Sequence, residues 1–239
     1  MENKTINTAI VQQVAEGLQE LLSSMVFVGG ATISIYTDDE AADEVRPTGD
    51  IDLTVQLSGL VEWARMEKRL NELGFKPRTE RNAICSFIFQ NVAVDIMPAS
   101  NSPIGITNSW YTPGFEHLEN VNVGNIEIRI LSAPYFLATK FEAFHDRGGD
   151  YRTSHDFEDI IYVVDNRTTI VEEILAADEK VKSFLQKEFS EISNSKYFEE
   201  YIQSQISPLI VGERFPIIKE KIIKIISIFL STNFAVKTT

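Results

Sequence analysis

Two aspartates separated by a single residue stand at the head of an apolar segment in the first quarter of the chain. Asp50 and Asp52 flank Ile51, and the mostly apolar residues 53–57 follow. Side chains two residues apart on a β-strand point to the same face, so both carboxylates can approach one divalent cation. Carboxylate oxygens are ligands that Mg²⁺ and Mn²⁺ prefer. The pair therefore predicts a metal site at the start of a strand.

A glycine pair lies upstream of these aspartates. The apolar residues 25–28 predict a first strand, which ends at Gly29 and Gly30. Glycines before a helix allow backbone N–H groups to come close to a phosphate. Thr32 lies one turn further on, so either the backbone amides or the Thr32 hydroxyl are expected to contact the phosphate. A carboxylate pair together with a phosphate-binding turn is an arrangement for handling nucleotides.

A third carboxylate, Asp95, interrupts the apolar residues 92–97 of another predicted strand. Burying an isolated carboxylate is costly unless a partner compensates its charge. A metal ion shared with Asp50 and Asp52 supplies such a partner, and a salt bridge to an arginine is the alternative. Two metal ions about 3.5–4 Å apart can serve the attacking and leaving oxygens of a phosphoryl group. Three clustered carboxylates suit that chemistry.

The elements that must position these side chains follow from the spacing of apolar residues. Apolar periodicity predicts helices at residues 8–24 and 60–73, a helix beginning at Gly30, and two hairpins at 84–97 and 118–131. The acidic residues 38–50 are interpreted as a solvated linker or a substrate-facing loop. From residue 132 onward the pattern is helical, at 135–145, 155–164, 170–175, 179–189, 197–206 and 216–230. The fold class predicted is α/β (α+β), with a small mixed sheet and flanking helices followed by a helical C-terminal half. The expected domains are a sheet domain at 1–131 and a helical domain at 132–239 that lines the cleft.

Composition narrows the class of protein. The 239 residues carry a formal charge of −13, which argues against general nucleic-acid binding. Cys85 is the single cysteine, so no intramolecular disulfide forms, and it is interpreted as a small buried residue. The three histidines are scattered, so no zinc site is predicted. Neither a signal peptide nor an apolar run of transmembrane length is evident, and a soluble cytoplasmic protein without membrane contact is expected.

The glycine pair, a helix and Asp-Ile-Asp at the head of a strand resemble the nucleotidyltransferase superfamily of the DNA polymerase β type. Residues 140–160, KFEAFHDRGGDYRTSHDFEDI, resemble its AbiEii/AbiGii-type branch, which carries Lys-x-x-Ala, Arg and then Asp-x-x-Asp. Some members of that branch are toxins of toxin–antitoxin or abortive-infection systems. The resemblance covers residues 27–165. The chain departs from the superfamily at Gly30, where serine is common.

The resemblance implies a role for each matching residue. Lys140 is expected to point at the triphosphate of an NTP such as ATP. Asp95 fits the place of the third carboxylate, which the family supplies from a neighbouring strand. Arg147, Asp156 and Asp159 complete the pattern, with the two aspartates orienting Lys140 or Arg147. Asp95 either helps to hold a metal ion that lowers the pKa of the acceptor hydroxyl or acts as its base.

These observations predict a metal-dependent nucleotidyltransferase that moves an NMP from an NTP to an acceptor and releases pyrophosphate. The resemblance favours an RNA end such as that of tRNA, or a protein side chain, with a toxin-like or phage-defence role and a possible cognate antitoxin. The negative charge suits a small cationic acceptor better, as in the aminoglycoside nucleotidyltransferases. A non-catalytic nucleotide-binding regulatory protein is a third alternative. The apolar stripe of the last predicted helix is expected to pack within the helical half or to form a homodimer seam.

Overall fold

The computed structural model describes residues 2–78, 85–100 and 107–236. Two compact units divide the chain. The first unit comprises Met1–Ile35 and Asp43–Ser132, and the second unit comprises Tyr36–Ala42 and Ala133–Thr239. The acidic loop that follows the glycine pair therefore belongs partly to each unit.

The first unit is built on a mixed sheet. Its strands within the described residues are β1 Met25–Val28, β2 Asp50–Val55, β3 Lys76–Pro77, β4 Ser86–Phe89, β5 Val92–Pro98, β6 Leu118–Val123 and β7 Ile126–Leu131. They lie in the order β3-β4-β5-β2-β1-β7-β6. β2 runs parallel to β5 and β1 runs parallel to β7, whereas the other neighbours are antiparallel. This mixed sheet, with helices beside it, confirms the predicted fold class.

Both predicted hairpins are present. β4 and β5 pair across a two-residue turn in which Gln90 and Asn91 have φ values of 46° and 69°. Two successive residues at positive φ form the turn type whose twist matches that of the flanking strands. β6 and β7 pair across a turn in which Gly124 has a φ of 61°. Residue 84, the predicted first residue of the first hairpin, lies outside the described residues.

The helices of the first unit are α1 Glu2–Leu18, α2 Leu60–Glu72 and the single turn α3 Tyr111–Gly114. In α2 the buried residues are Trp63, Met66 and Leu70, at the spacing of one helical face. The helix predicted at 8–24 ends at Leu18, because Gln19 takes a φ of 49° and a 3₁₀ segment, Gln19–Ser24, follows. A left-handed residue cannot continue a right-handed helix.

The segment that begins at the second glycine, Gly30–Ile35, is also a 3₁₀ helix and not an α-helix. Its turn is closed by a short-range hydrogen bond from the Thr32 backbone N–H to the Gly29 carbonyl. All of residues 30–34 are buried. The chain therefore passes directly from β1 into a tight, buried turn, and the helix predicted to begin at Gly30 is present as a short 3₁₀ segment.

The second unit is helical. Its helices within the described residues are α4 Ala133–Asp146, α5 His155–Asn166, α6 Ile170–Ala176, α7 Glu179–Ser193, α8 Phe198–Gln203 and α9 Val211–Val236. Ser154 begins α5 as an N-cap, with its side chain accepting the N–H of Phe157. The isoleucines at 218, 222 and 225 of α9 are fully buried, so this stripe packs inside the unit. No helix in the described parts of the chain combines the length and the apolarity needed to cross a membrane.

Residues 36–42 are tied to the helices of the second unit. The Tyr36 ring stacks on Phe136, with 4.3 Å between ring centroids. The backbone N–H groups of Asp38 and Asp39 both donate to the Asn166 carbonyl at 3.1 Å. The Arg214 guanidinium also bonds Asp39, at 2.9 Å. This part of the acidic loop is therefore anchored by several hydrogen bonds rather than being a purely solvated linker.

Candidate active site

The two strands β2 and β5 bring three carboxylates together in the first unit. In their parallel register Asp52 lies opposite Asp95, and Asp50 lies opposite Ala93. Because side chains alternate along a strand and register partners share a face, the three aspartates lie on one face of two neighbouring strands. All three side chains are partly exposed. Asp95 thus occupies the neighbouring-strand position that the sequence predicted for it.

Neighbouring hydroxyl groups contact two of the three carboxylates, Asp95 and Asp50. The Ser86 hydroxyl donates to Asp95 Oδ1 at 2.5 Å, across the antiparallel pair of β4 and β5. The Thr48 hydroxyl lies 3.4 Å from Asp50 Oδ1. Burial and the charge of Asp95 together raise the pKa of the Cys85 thiol, but Cys85 is partly exposed, so the prediction of a buried residue is wrong.

The glycine turn lies beside the central carboxylate. Val28, the last residue of β1, pairs with Asp52, and Gly29 follows with a φ of 74°. A Cβ atom at Gly29 would overlap the Asp52 carboxylate. Glycine is thus required here twice, for its backbone conformation and for the space that Asp52 occupies.

Thr32 closes this turn. Its hydroxyl donates to the Gly29 carbonyl at 2.9 Å, and its side chain is fully buried. The hydrogen atom of the hydroxyl is therefore used on the backbone. The backbone amides of Gly29 and Gly30 are the remaining groups of the predicted phosphate-binding turn.

A divalent metal ion fits the donors present in the first unit. Mg²⁺ is commonly bound through one or two carboxylates, several water molecules and the phosphates of the substrate, so a complete cage of protein ligands is not needed. Asp50, Asp52 and Asp95 supply hard oxygen ligands on one face. Within residues 2–78, 85–100 and 107–236, no group of three or more His, Cys, Asp or Glu side chains stands close enough together to hold a metal ion by itself.

A second charged cluster lies in the second unit, between α4 and α5. Lys140 Nζ lies 2.6 Å from Asp159 Oδ2 and 3.3 Å from Asp156 Oδ1. Lys140 is 6% exposed, Asp156 is 4% exposed and Asp159 is 1% exposed. Lys140 Nζ also lies 5.7 Å from the centre of the Phe136 ring. The cluster is therefore a buried group of charges that compensate one another.

Arg147 links this buried cluster to solvent. Its guanidinium donates to Asp156 Oδ2, while 72% of its side chain is exposed. Asp156 thus contacts both Lys140 and Arg147, whereas the resemblance implied only that the two aspartates orient one or the other. In the second unit, Arg147 is the member of the predicted set that an external ligand can reach directly.

Most of the chain matches a known protein family. Residues 15–214 match the family model described as nucleotidyl transferase AbiEii toxin, type IV toxin–antitoxin system. The chain belongs to this family. Membership makes it a nucleotidyltransferase of toxin–antitoxin type. The matched range extends on both sides beyond residues 27–165, over which the sequence resemblance was found. No curated protein sequence matches the chain.

Two solved structures resemble this AbiEii-family chain loosely. An antigenic nucleotidyltransferase-like protein from Paracoccidioides brasiliensis is 16% identical with a TM-score of 0.47, over 90% of this chain and 91% of that chain. The protein JHP933 from Helicobacter pylori is 10% identical with a TM-score of 0.48, over 100% of this chain and 98% of that chain. These likenesses are too distant to add to the family assignment.

The structure of this AbiEii-family protein adds side chains that the sequence analysis missed. Ser86 contacts Asp95, and Thr48 contacts Asp50. Arg46 lies next to Gly30, where a Cβ atom would be 2.6 Å from Arg46 Nη2. A turn at Gln90 and Asn91 fixes the hairpin register, so Ser86 could have been found from the sequence. Arg46 could not, since an irregular loop carries it.

Proposed function

We propose that this AbiEii-family protein is a metal-dependent nucleotidyltransferase that moves an NMP from an NTP to an acceptor. The observation that carries the proposal is the pairing of Asp52 with Asp95 on parallel strands, beside the turn at Gly29. Three partly exposed carboxylates on one face offer hard oxygen ligands to a divalent cation that a bound triphosphate would bring with it. A pure nucleotide-binding protein has no need of that arrangement.

The proposed reaction forms one bond at the α-phosphorus and breaks another. An acceptor oxygen attacks the α-phosphorus of the NTP, the bond from that phosphorus to the bridging oxygen breaks, and pyrophosphate leaves with that oxygen. Asp50, Asp52 and Asp95 would hold Mg²⁺ or Mn²⁺, which supplies positive charge against the non-bridging and leaving oxygens. As the alternative to holding the metal ion, Asp95, whose Oδ1 accepts the Ser86 hydroxyl, would take the acceptor proton. Gly29 and Gly30 would present backbone N–H groups to the phosphates.

Residues of the second unit are proposed to act on the triphosphate. Lys140 would supply a positive charge for the phosphates, and Asp156 and Asp159 would fix its position through the short contacts they make with it. Arg147, exposed and held by Asp156, would donate to a phosphate oxygen. Single substitutions of Lys140 and Arg147 test the two contacts separately.

The acceptor that we propose is an RNA end such as that of tRNA, with growth arrest as the outcome and a cognate antitoxin as the partner that neutralises it. The toxin description of the matched family supports this choice. We place the reaction in the cytoplasm, where NTP and RNA are available. A small cationic acceptor of the aminoglycoside kind is the second candidate, since the formal charge of −13 attracts cations and repels RNA.

The decisive experiment offers each α-labelled NTP with Mg²⁺ or Mn²⁺ to the protein, together with total RNA, purified tRNA or a panel of aminoglycosides. Label on RNA with release of pyrophosphate supports the toxin-type reaction, and label on the drug supports the second candidate. Asp52→Asn should abolish transfer, whereas the matched control Asp146→Asn, an exposed aspartate at the end of α4, should not. Absence of pyrophosphate release under every condition would refute the proposal.

A further inference from the structure

An arginine outside the predicted motifs lies against the glycine turn. A Cβ atom built at Gly30 would be 2.6 Å from Arg46 Nη2 and 3.4 Å from Arg46 Cζ. Real Cβ atoms do not approach another heavy atom so closely, so the guanidinium fills the space that a side chain at residue 30 would need. The positive charge of Arg46 is thereby held beside the backbone of the turn.

A buried amide on α1 fixes the backbone that carries this arginine. Asn7 is 1% exposed, its Nδ2 donates to the Arg46 carbonyl at 3.2 Å, and its Oδ1 accepts the Thr48 N–H at 3.4 Å. Pro47, between the two bonded residues, has no N–H of its own to offer. One side chain thus holds both ends of a short, irregular segment, which positions Arg46 without the help of regular secondary structure.

A triphosphate that binds at this turn meets the negative charge of the nearby carboxylates, and a cation held there, such as the Arg46 guanidinium, would offset the repulsion. Asp50, Asp52 and Asp95 lie on the neighbouring strands, and a nucleoside triphosphate adds further negative charge. A planar guanidinium donates two parallel hydrogen bonds to phosphate oxygens, which a lysine cannot do. The Thr32 hydroxyl already donates to the Gly29 carbonyl, so Arg46 would add a side-chain donor to the backbone N–H groups of the turn.

We propose that Arg46 binds the triphosphate of the NTP at the turn formed by Gly29 and Gly30, and that Asn7 positions it. The inference rests on the proposed nucleotidyl transfer and deepens it. Arg46 donates to non-bridging oxygens of the phosphates beyond the α-phosphate. Its charge therefore stabilises the pyrophosphate as it leaves and distinguishes a triphosphate from a monophosphate.

Binding of ligands with and without the outer phosphates tests this role. The probes are an NTP analogue with a methylene group between the α- and β-phosphates and the corresponding NMP, each with Mg²⁺, measured by calorimetry. Losing hydrogen bonds to a charged group costs about 1.5–3 kcal/mol, so Arg46→Gln should weaken analogue binding roughly 10- to 150-fold. Binding of the NMP should change by less than about 2-fold, and Arg46→Lys should recover only part of the loss.

A second variant tests the geometry independently of the arginine itself. Gly30→Ala introduces a Cβ atom that displaces the flexible end of the Arg46 side chain, so it should weaken analogue binding in the wild-type background by less than Arg46→Gln does. In the Arg46→Gln background the same change should have little further effect, because the displaced group is already gone. Arg65→Gln, an exposed arginine on α2, is the matched control for loss of charge and should bind the analogue like wild type.

The outcomes separate this inference from the proposed function. If the wild type releases pyrophosphate but Arg46→Gln binds the analogue as tightly as wild type, or loses both ligands equally, the role of Arg46 is refuted and the transferase proposal stands. If the wild type binds no triphosphate and releases no pyrophosphate, both proposals fail. Thermal unfolding of each variant establishes that a loss of binding is not a loss of folding.

Discussion

The buried cluster around Lys140 allows a quantitative test of how the second unit is held together. Lys140→Met keeps the length and most of the apolar volume of the side chain but removes its charge. Asp159 is 1% exposed and lies 2.6 Å from Lys140 Nζ, so the variant leaves a buried carboxylate without this cation. Removing one partner of a buried ion pair costs about 3–5 kcal/mol. We expect a loss of this size in the free energy of unfolding.

Urea denaturation followed by far-UV circular dichroism measures this loss. Trp63 and Trp110 both belong to the first unit, so circular dichroism from the helices reports better on the second unit than tryptophan fluorescence does. In a thermal scan the same loss corresponds to a midpoint lowered by roughly 6–20 °C for a chain of this size. Adding Asp159→Asn to Lys140→Met removes the unpaired charge, so the double variant should regain much of the lost stability.

Arg147→Ala is the control within the same cluster. Its side chain is 72% exposed, so solvent screens its charge, and the buried Asp156 keeps its contact with Lys140 after the substitution. It should therefore unfold almost like wild type. A loss of less than about 1 kcal/mol for Lys140→Met, or a double variant less stable than the single one, would show that compensation of buried charge does not hold this cluster together.

Two further predictions concern protonation. Burial and the Asp95 charge raise the pKa of Cys85 above its usual 9.0, so Asp95→Asn should lower that pKa and, because the thiolate is the reactive form, speed alkylation of the single cysteine near pH 8 in EDTA. An unchanged rate would place the Asp95 charge away from Cys85. The Ala41 N–H and the Arg214 guanidinium lower the pKa of Asp39 below 3.8. This carboxylate therefore stabilises the fold above about pH 3.8, and the stability advantage of wild type over Asp39→Asn in urea denaturation should shrink as the pH falls through the lowered pKa.

Local rules of strand geometry explain how much of the site could be predicted. Asp50 and Asp52 share a face because strand side chains alternate, whatever the rest of the fold does. The turn at Gln90 and Asn91 pairs residues that lie equally far from it, which places Ser86 against Asp95. The family resemblance implied only that Asp95 comes from a neighbouring strand, whereas the parallel pairing of β2 with β5 that sets it opposite Asp52 is known from the structure alone.

The remaining features depend on contacts that no local pattern encodes. The 3₁₀ segments replace predicted helices where a single residue, such as Gln19, leaves the right-handed region or where a hydroxyl, such as that of Thr32, closes the turn. Arg46 reaches Gly30 only because a buried amide from α1 holds an irregular segment. The burial of Lys140 between two aspartates is likewise a tertiary property, since an amphipathic helix could equally direct a lysine to solvent.

Variants of the cluster around Lys140 can distinguish a role of Lys140 in stability from a role in nucleotidyl transfer. Lys140 and Arg147 carry two positive charges and Asp156 and Asp159 carry two negative charges, so the group is formally neutral before a ligand binds. The double variant Lys140→Met with Asp159→Asn is neutral as well, and it retains the pair of Arg147 with Asp156. If Lys140 only holds the helices together, a stable double variant should recover nucleotidyl transfer. If its charge acts on the triphosphate, the double variant should fold and still transfer no nucleotide, because restoring neutrality to the core does not return a cation to the phosphates.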